Sequence, residues 1–283
     1  MTENELKALV SLLDDEDKQI ADHVQEKILS LGTQAIPFLE KEWESNLNPD
    51  VQGRIEELIH TLQYELVKER LLAWYRGPNP DLLMGMWIVA TYQYPDIELD
   101  KLRQEIEQVY QEVWLEFNPE LHALDQVKIL NSVIFNKLRF GANTKNFHSP
   151  GNSMINIVLE TRKGNPITLC VIYMLVAQKL KMPIQGVNLP NLFILTYKDD
   201  AQQFYINAFN RGLIFSRQDI ENYIHELHLV PQQSFFEACT NIEIVRRALR
   251  NLIMSFEKMG EHAKAEEVKL LLIEISDGGD LGV

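Results

Sequence analysis

Few of the side chains in this sequence that could attack a carbonyl carbon or move a proton stand at spacings that would let them act together. A cysteine is a nucleophile only as thiolate, and a helix N-terminus or a neighbouring imidazole lowers its pKa far enough. Cys170 follows Asn165-Pro166, a pair that reads as N-cap and first helical position. His148, in an Asn- and Gly-rich loop, is a base that could approach that helix start. Against this chemistry, Cys170 shares a helical face with Ile167, Val171 and Met174, the pattern of an inert core thiol. Cys239, just after Phe235 and Phe236, reads as core still more firmly. His225 and His228 have a helix-compatible metal spacing, but no third ligand lies nearby, so both are expected in solvent and no metal or cofactor is expected. Gly164, Gly186 and Gly212 are turn glycines, with no Gly-x-x-x-x-Gly-Lys or Gly-x-Gly-x-x-Gly phosphate cradle around them.

The elements that must position these groups are mostly helical. Over residues 6–74 apolar side chains recur at three- and four-residue steps: Ile20, Val24, Ile28, Leu31, then Val51, Ile55, Leu58, Leu62. Gly32 ends one helix and Pro37 lies in the first turn of the next. Gly77-Pro78-Asn79-Pro80 is the linker candidate. Beyond it, residues 82–92 form a nearly apolar helix with Trp87 in the core. Residues 99–117 and 121–140 are amphipathic, and Asn152 or Ser153 caps a helix ending at Gly164. After the helix of residues 167–180 the period falls to two, and residues 184–189, 192–197 and 203–208 read as a small antiparallel sheet. Residues 242–259 and 262–275, joined at Gly260, form a helical hairpin, and Gly278-Gly279 opens a frayed tail.

A formal net charge of -14 opposes nucleic acid, whose phosphates need clustered cations. The one basic cluster, Arg246, Arg247 and Arg250, reads as a solvated helix face. With 46% hydrophobic residues the chain can build a real core. Two cysteines make no disulfide framework, the first residues are polar and acidic, and the longest apolar stretch is far short of the ~20 residues of a membrane span. The expectation is a soluble cytoplasmic protein that contacts neither membrane nor nucleic acid.

Several motifs in fixed order resemble one family. They are Phe140-Gly141-x-Asn143, Ser149-Pro150-x-Asn152-Ser153, Arg162-Lys163-Gly164-x-Pro166-Ile167-Thr168-Leu169, Gly186-Val187-x-x-Pro190-x-x-Phe193 and Tyr205-Ile206-x-x-Phe209-Asn210-x-Gly212. Together they are similar to bacterial SirB-type transglutaminase-like proteins. Residues 13–39 resemble a HEAT-type helical repeat, and the C-terminal hairpin a tetratricopeptide-type unit. The resemblance implies an α+β fold, predominantly α. Residues 1–76 would be a HEAT-like segment, 80–230 a papain- or transglutaminase-like core with its preceding helices, and 231–283 the hairpin and tail. It also implies a Cys–His–Asp site whose three positions here are Pro166, Leu192 and Asn207, a degenerate triad in which the remaining thiol candidate is Cys170. The vacated cleft would then be bordered by Asn165, Thr168, Asn191 and Asn207.

Loss of the triad beside helical-repeat flanks leads to a non-catalytic interaction, scaffold or regulatory module with a protein partner, one carrying a basic patch given the acidic charge. Two alternatives remain. One is a sensor holding a small ligand in the vacated cleft, and the other a thiol hydrolase or acyltransferase using Cys170.

Overall fold

The computed structural model describes residues 3–15 and 17–276; the Gly278-Gly279 tail lies outside them. Contacts divide the chain into a unit of residues 1–70 and a unit of residues 71–283.

In the first unit, α1 (Glu3–Ser11), α2 (Lys18–Leu29), α3 (Ile36–Ser45) and most of α4 (Pro49–Tyr75) share one core, in which Ile28, Leu39, Ile55 and Leu58 are fully buried. Local signals set the helix ends. Asp17 Oδ1 accepts the Gln19 amide at 2.9 Å to cap α2, Gly32 takes a left-handed φ of 67°, and Pro37 sits in the first turn of α3. Ile20, read as part of the apolar stripe, is 41% exposed, because the face carrying Ala21, Val24 and Ile28 is the one that packs.

The second unit begins inside α4 and contains the Gly77-to-Pro80 turn. Its α5 (Leu82–Thr91) is capped by Asp81, whose Oδ1 accepts the Met84 amide at 2.7 Å. Trp87, expected in the core, is only half-buried, because its indole N–H donates to the Ile97 carbonyl (2.7 Å) at the helix edge. In α6 (Leu99–Trp114), within the amphipathic stretch expected over 99–117, one face carries Leu102, Ile106, Val109 and Val113, all buried. The helix α7 (Ala123–Asn131) widens into a π-helical segment, Ser132–Lys137.

Two short strands, β1 (Gly141–Ala142) and β2 (Lys163–Gly164), pair in parallel around α8 (Ile155–Thr161). The α8 N-cap is Met154, not Asn152 or Ser153, which lie in a preceding 3₁₀ turn; the Asn152 carboxamide is engaged elsewhere.

The central α9 (Pro166–Lys179) packs on an antiparallel sheet of order β3 (Ile184–Leu189), β4 (Leu192–Lys198), β5 (Gln203–Asn207), β6 (Leu213–Phe215). α10 (Arg217–Glu226) starts with a capping box, in which the Ser216 hydroxyl bonds the Asp219 backbone and the Asp219 carboxylate accepts from the Ser216 amide. The last two helices, α11 (Asn241–Met259) and α12 (His262–Glu274), form a hairpin turning at Gly260 (φ 78°), and α11 also packs on α5. The fold is α+β and predominantly helical. Among the described residues no helix is long and apolar enough to cross a membrane.

Candidate functional site

Asn165 organises the start of α9. Its Oδ1 accepts the Thr168 amide at 2.9 Å, and its Nδ2 donates to Ser153 Oγ at 2.8 Å. Pro166 follows, with its ring fixing the first helical φ and no N–H left unpaired. One step out, Asn152 Oδ1 accepts from Asn143 Nδ2 (2.8 Å), while Asn152 Nδ2 donates to the carbonyls of Asn146 and Phe147 (2.7 and 2.9 Å). This carboxamide ties the loop of residues 143–148 to the mouth of α9. Asn165→Ala removes a buried cap, and a loss of about 1–2 kcal/mol is expected in urea unfolding.

The loop, the helix start and the tip of the β3–β4 hairpin enclose a cavity of about 190 Å³. Asn165, Pro166, Asn191, Phe193 and His148 line one side, and Arg247, Asn251 and Ser255 of α11 line the other. Asn191 occupies the hairpin position with φ 57°, which asparagine tolerates better than most residues. Tyr223 of α10 pins this tip by donating its hydroxyl to the Pro190 carbonyl at 2.9 Å. Burial lowers the pKa of Arg247, and the neighbouring Arg250 lowers it further. The site thus joins a guanidinium, an imidazole and several amides at a positive helix end. That chemistry suits a small polar group bearing negative charge. Arg247 had read as part of a solvated face; it lines the cavity instead.

The structure brings Asn165, Pro166, Asn191 and His148 together. Thr168, Cys170, Leu192 and Asn207 are not among the residues lining that cavity. Thr168 is fully buried, and its hydroxyl has no hydrogen-bond partner. Asn207 turns its side chain back to accept the Asn210 amide at 3.1 Å, capping the 3₁₀ turn after β5. Leu192 packs with Val187, Leu189, Ile194, Ile220 and Ile224, a cluster to which α9 contributes no residue. Strand alternation then sends the next side chain, Phe193, to the opposite face, toward the start of α9.

Cys170 is fully buried, and its Sγ lies 3.7 Å from the Phe193 carbonyl. Burial pushes its pKa up. The backbone at Ala208 opposes that shift and Cys239 adds to it, and no imidazole is among the groups acting on it. Cys239, which had read as the more deeply cored thiol, is the less buried of the two. Its Sγ donates to the Gly186 carbonyl at 3.2 Å, and burial pushes its pKa up to about 12. Among the described residues no group of three or more His, Cys, Asp or Glu could hold a metal ion.

The α11 wall carries no motif that would have revealed it in the sequence. Arg247, Asn251 and Ser255 are polar flanks of an amphipathic helix, and apolar periodicity reports which face is buried, not what its flank meets.

Comparison with known proteins fits this architecture. A 31% identical match over 180 residues links the chain to a UPF0162 protein of Xylella fastidiosa (strain 9a5c), covering 60% of this chain and 63% of that one. A UPF0162 protein of Pasteurella multocida is 24% identical over 169 residues, 60% of this chain and 62% of the relative. F-box only protein 21 of mouse is 24% identical over 156 residues, 52% of this chain but 24% of its own length. The chain therefore spans less than two thirds of these curated relatives. No solved structure matches it. The family model described as Transglutaminase-like superfamily matches residues 100–250, more than half of the chain, from the start of α6 into α11. The chain belongs to the transglutaminase-like superfamily.

Proposed function

We propose that this protein works by binding, as a non-catalytic interaction or regulatory module of SirB-type character, and carries out no thiol-dependent acyl transfer. The observation that carries this reading is the sealing of Cys170, the only thiol of α9: it is fully buried, its pKa is raised, and no imidazole acts on it. Pro166, Leu192 and Asn207 are on this reading the remains of a triad, and none of them supplies a nucleophile or a base. The helical segment of residues 1–76, read as HEAT-like, and the α11–α12 hairpin, read as tetratricopeptide-like, would each present a surface for a protein partner. A net charge of -14 favours a partner with a basic patch.

Native-state alkylation followed by mass spectrometry tests the catalytic half of this reading. Cys170 should stay unreacted until the protein unfolds. Cys239, with its pKa near 12, should react at pH 8 about a thousandfold more slowly than an ordinary thiol of pKa ~8.5. Fast native labelling of Cys170, with a midpoint below ~8.5, would restore the hydrolase or acyltransferase reading. For the interaction half, tagged protein from its native cell should retain a stoichiometric partner at near-physiological salt, and recovery of none would count against it.

A second reading rests on the 190 Å³ cavity, which could hold the anionic group of a small ligand against Arg247 and His148. A ligand of that kind should raise the melting temperature of the wild type but not of Arg247→Gln, and a flat screen would leave the cavity without a role.

A further inference from the structure

Acidic side chains outnumber basic ones 41 to 27 in this sequence, so a concave surface should on average show more carboxylates than cations. One cavity of the second unit, about 1010 Å³ between residues 93–108 and α8, does so, with Asp96, Glu98, Glu105 and Glu160 against Lys101 and Arg162. A second cavity, of about 650 Å³, reverses the balance. Its charged lining is Arg139, Lys163 and Arg211, and no carboxylate lines it.

Three separate pieces of chain bring these cations together. Arg139 follows the π-helical segment, Lys163 lies in β2, and Arg211 follows the 3₁₀ turn after β5. The parallel pairing of β1 with β2 sets Lys163 opposite Gly141, and Lys163 Nζ lies 3.6 Å from where a Cβ at position 141 would stand. Lys163 Nζ donates to the Arg139 carbonyl at 3.2 Å, which holds two of the three positions in one frame. Among the described residues none of the three cations is paired with a carboxylate. Nearby Lys137, by contrast, is engaged by both Glu112 and Glu116. The lining adds neutral donors from Asn136, Thr144 and Asn210.

We propose that this cavity binds a small organic phosphate or pyrophosphate, a ligand whose two or three negative charges match the three unpaired cations. Guanidinium forks and hydroxyl or amide donors are the groups that recognise phosphate oxygens. The volume is within the roughly 300–1,000 Å³ of small-molecule sites. The overall charge of -14 disfavours a nucleic acid or an anionic membrane as the occupant. The site is separate from the cavity at the start of α9, so the failure of one proposal leaves the other standing.

The experiment is isothermal titration of the whole chain with pyrophosphate, AMP and citrate at two salt concentrations, about 50 and 200 mM. Saturable one-to-one binding of pyrophosphate or AMP is expected, weaker at the higher salt. Preference for AMP would identify a phosphate ester as the ligand, and preference for pyrophosphate an inorganic one. The double variant Arg139→Gln/Arg211→Gln should bind at least tenfold more weakly, while Lys101→Gln in the acidic cavity should bind as the wild type does. Thermal unfolding checks that each variant is folded. No saturable heat with either phosphate probe, equal affinity in the folded double variant, or citrate binding as tightly as pyrophosphate would each overturn the proposal.

Discussion

Gly212→Ala should cost about 3–5 kcal/mol of stability, most of it from the side chain's collision with a hydrogen-bond relay. Gly212 has φ 77°, and an added Cβ would overlap the carboxamide of Asn131. That carboxamide is committed at both ends: Nδ2 donates to the Gly212 carbonyl at 2.9 Å, and Oδ1 accepts the Tyr173 hydroxyl at 3.0 Å. Tyr173 lies in the middle of α9 and is fully buried, with its phenol pKa raised by that burial. Moving Asn131 aside therefore leaves a buried hydroxyl and a carbonyl without partners, at roughly 1–3 kcal/mol each. Left-handed backbone in a non-glycine residue adds about 1 kcal/mol. Gly32→Ala is the control, since Gly32 also has a positive φ (67°) but nothing lies within 4 Å of its Cβ position. It should lose only the backbone strain of about 1 kcal/mol. Urea unfolding of the two variants checks this, and equal losses would show that the relay through Asn131 contributes nothing.

Regular spacing made the framework readable from the sequence, while the site depends on contacts that spacing does not encode. The stripe through Val24, Ile28, Ile55 and Leu58 predicts the first unit's core, and the face of α6 follows from the same rule. Asn165-Pro166 predicts the start of α9 because cap and proline chemistry are local. The same local rule misplaced the start of α8. Asn152 is a good cap residue by type, yet its carboxamide is held by Asn143 and the carbonyls of the preceding loop. The strand β6, only three residues long, is too short to display a period of two. Nothing near Arg247 in the chain signals that α11 will close the cavity over Asn165 and Asn191.

The parity of β4 shows how a motif can be legible while its geometry is not. Matching Pro190-Asn191-Leu192-Phe193 to the family's motif places the expected base at Leu192, yet the side chain at that position joins the core beneath α10. Phe193 points to the cavity instead. A histidine placed at position 192 would therefore put an imidazole among Val187, Ile194 and Ile220 rather than beside the start of α9.

Gly186→Val should destabilise the protein by about 3 kcal/mol, near the upper end of ordinary overpacking, and should expose Cys239 at the same time. Gly186 lies in β3, an edge strand of the sheet. A Cβ there would stand 2.7 Å from Phe193 Cζ, 3.2 Å from Phe193 Cε1 and 3.3 Å from Cys239 Sγ. The Phe193 ring is 2% exposed and cannot yield outward without disturbing the wall of the α9 cavity. Cys239 has more room, but its amide and its thiol both donate to the Gly186 carbonyl, at 2.9 and 3.2 Å, and so cover the outer side of the edge strand. A valine at this position pushes the thiol away from its acceptor and toward water, which relieves the burial that raises its pKa. Native alkylation of Cys239 at pH 8 should therefore speed up by at least about tenfold in the folded variant, while Cys170, behind the Phe193 carbonyl, stays protected. Destabilisation without a change in Cys239 labelling would mean that the ring alone takes up the strain, and that Cys239 does not depend on the bare backbone at Gly186.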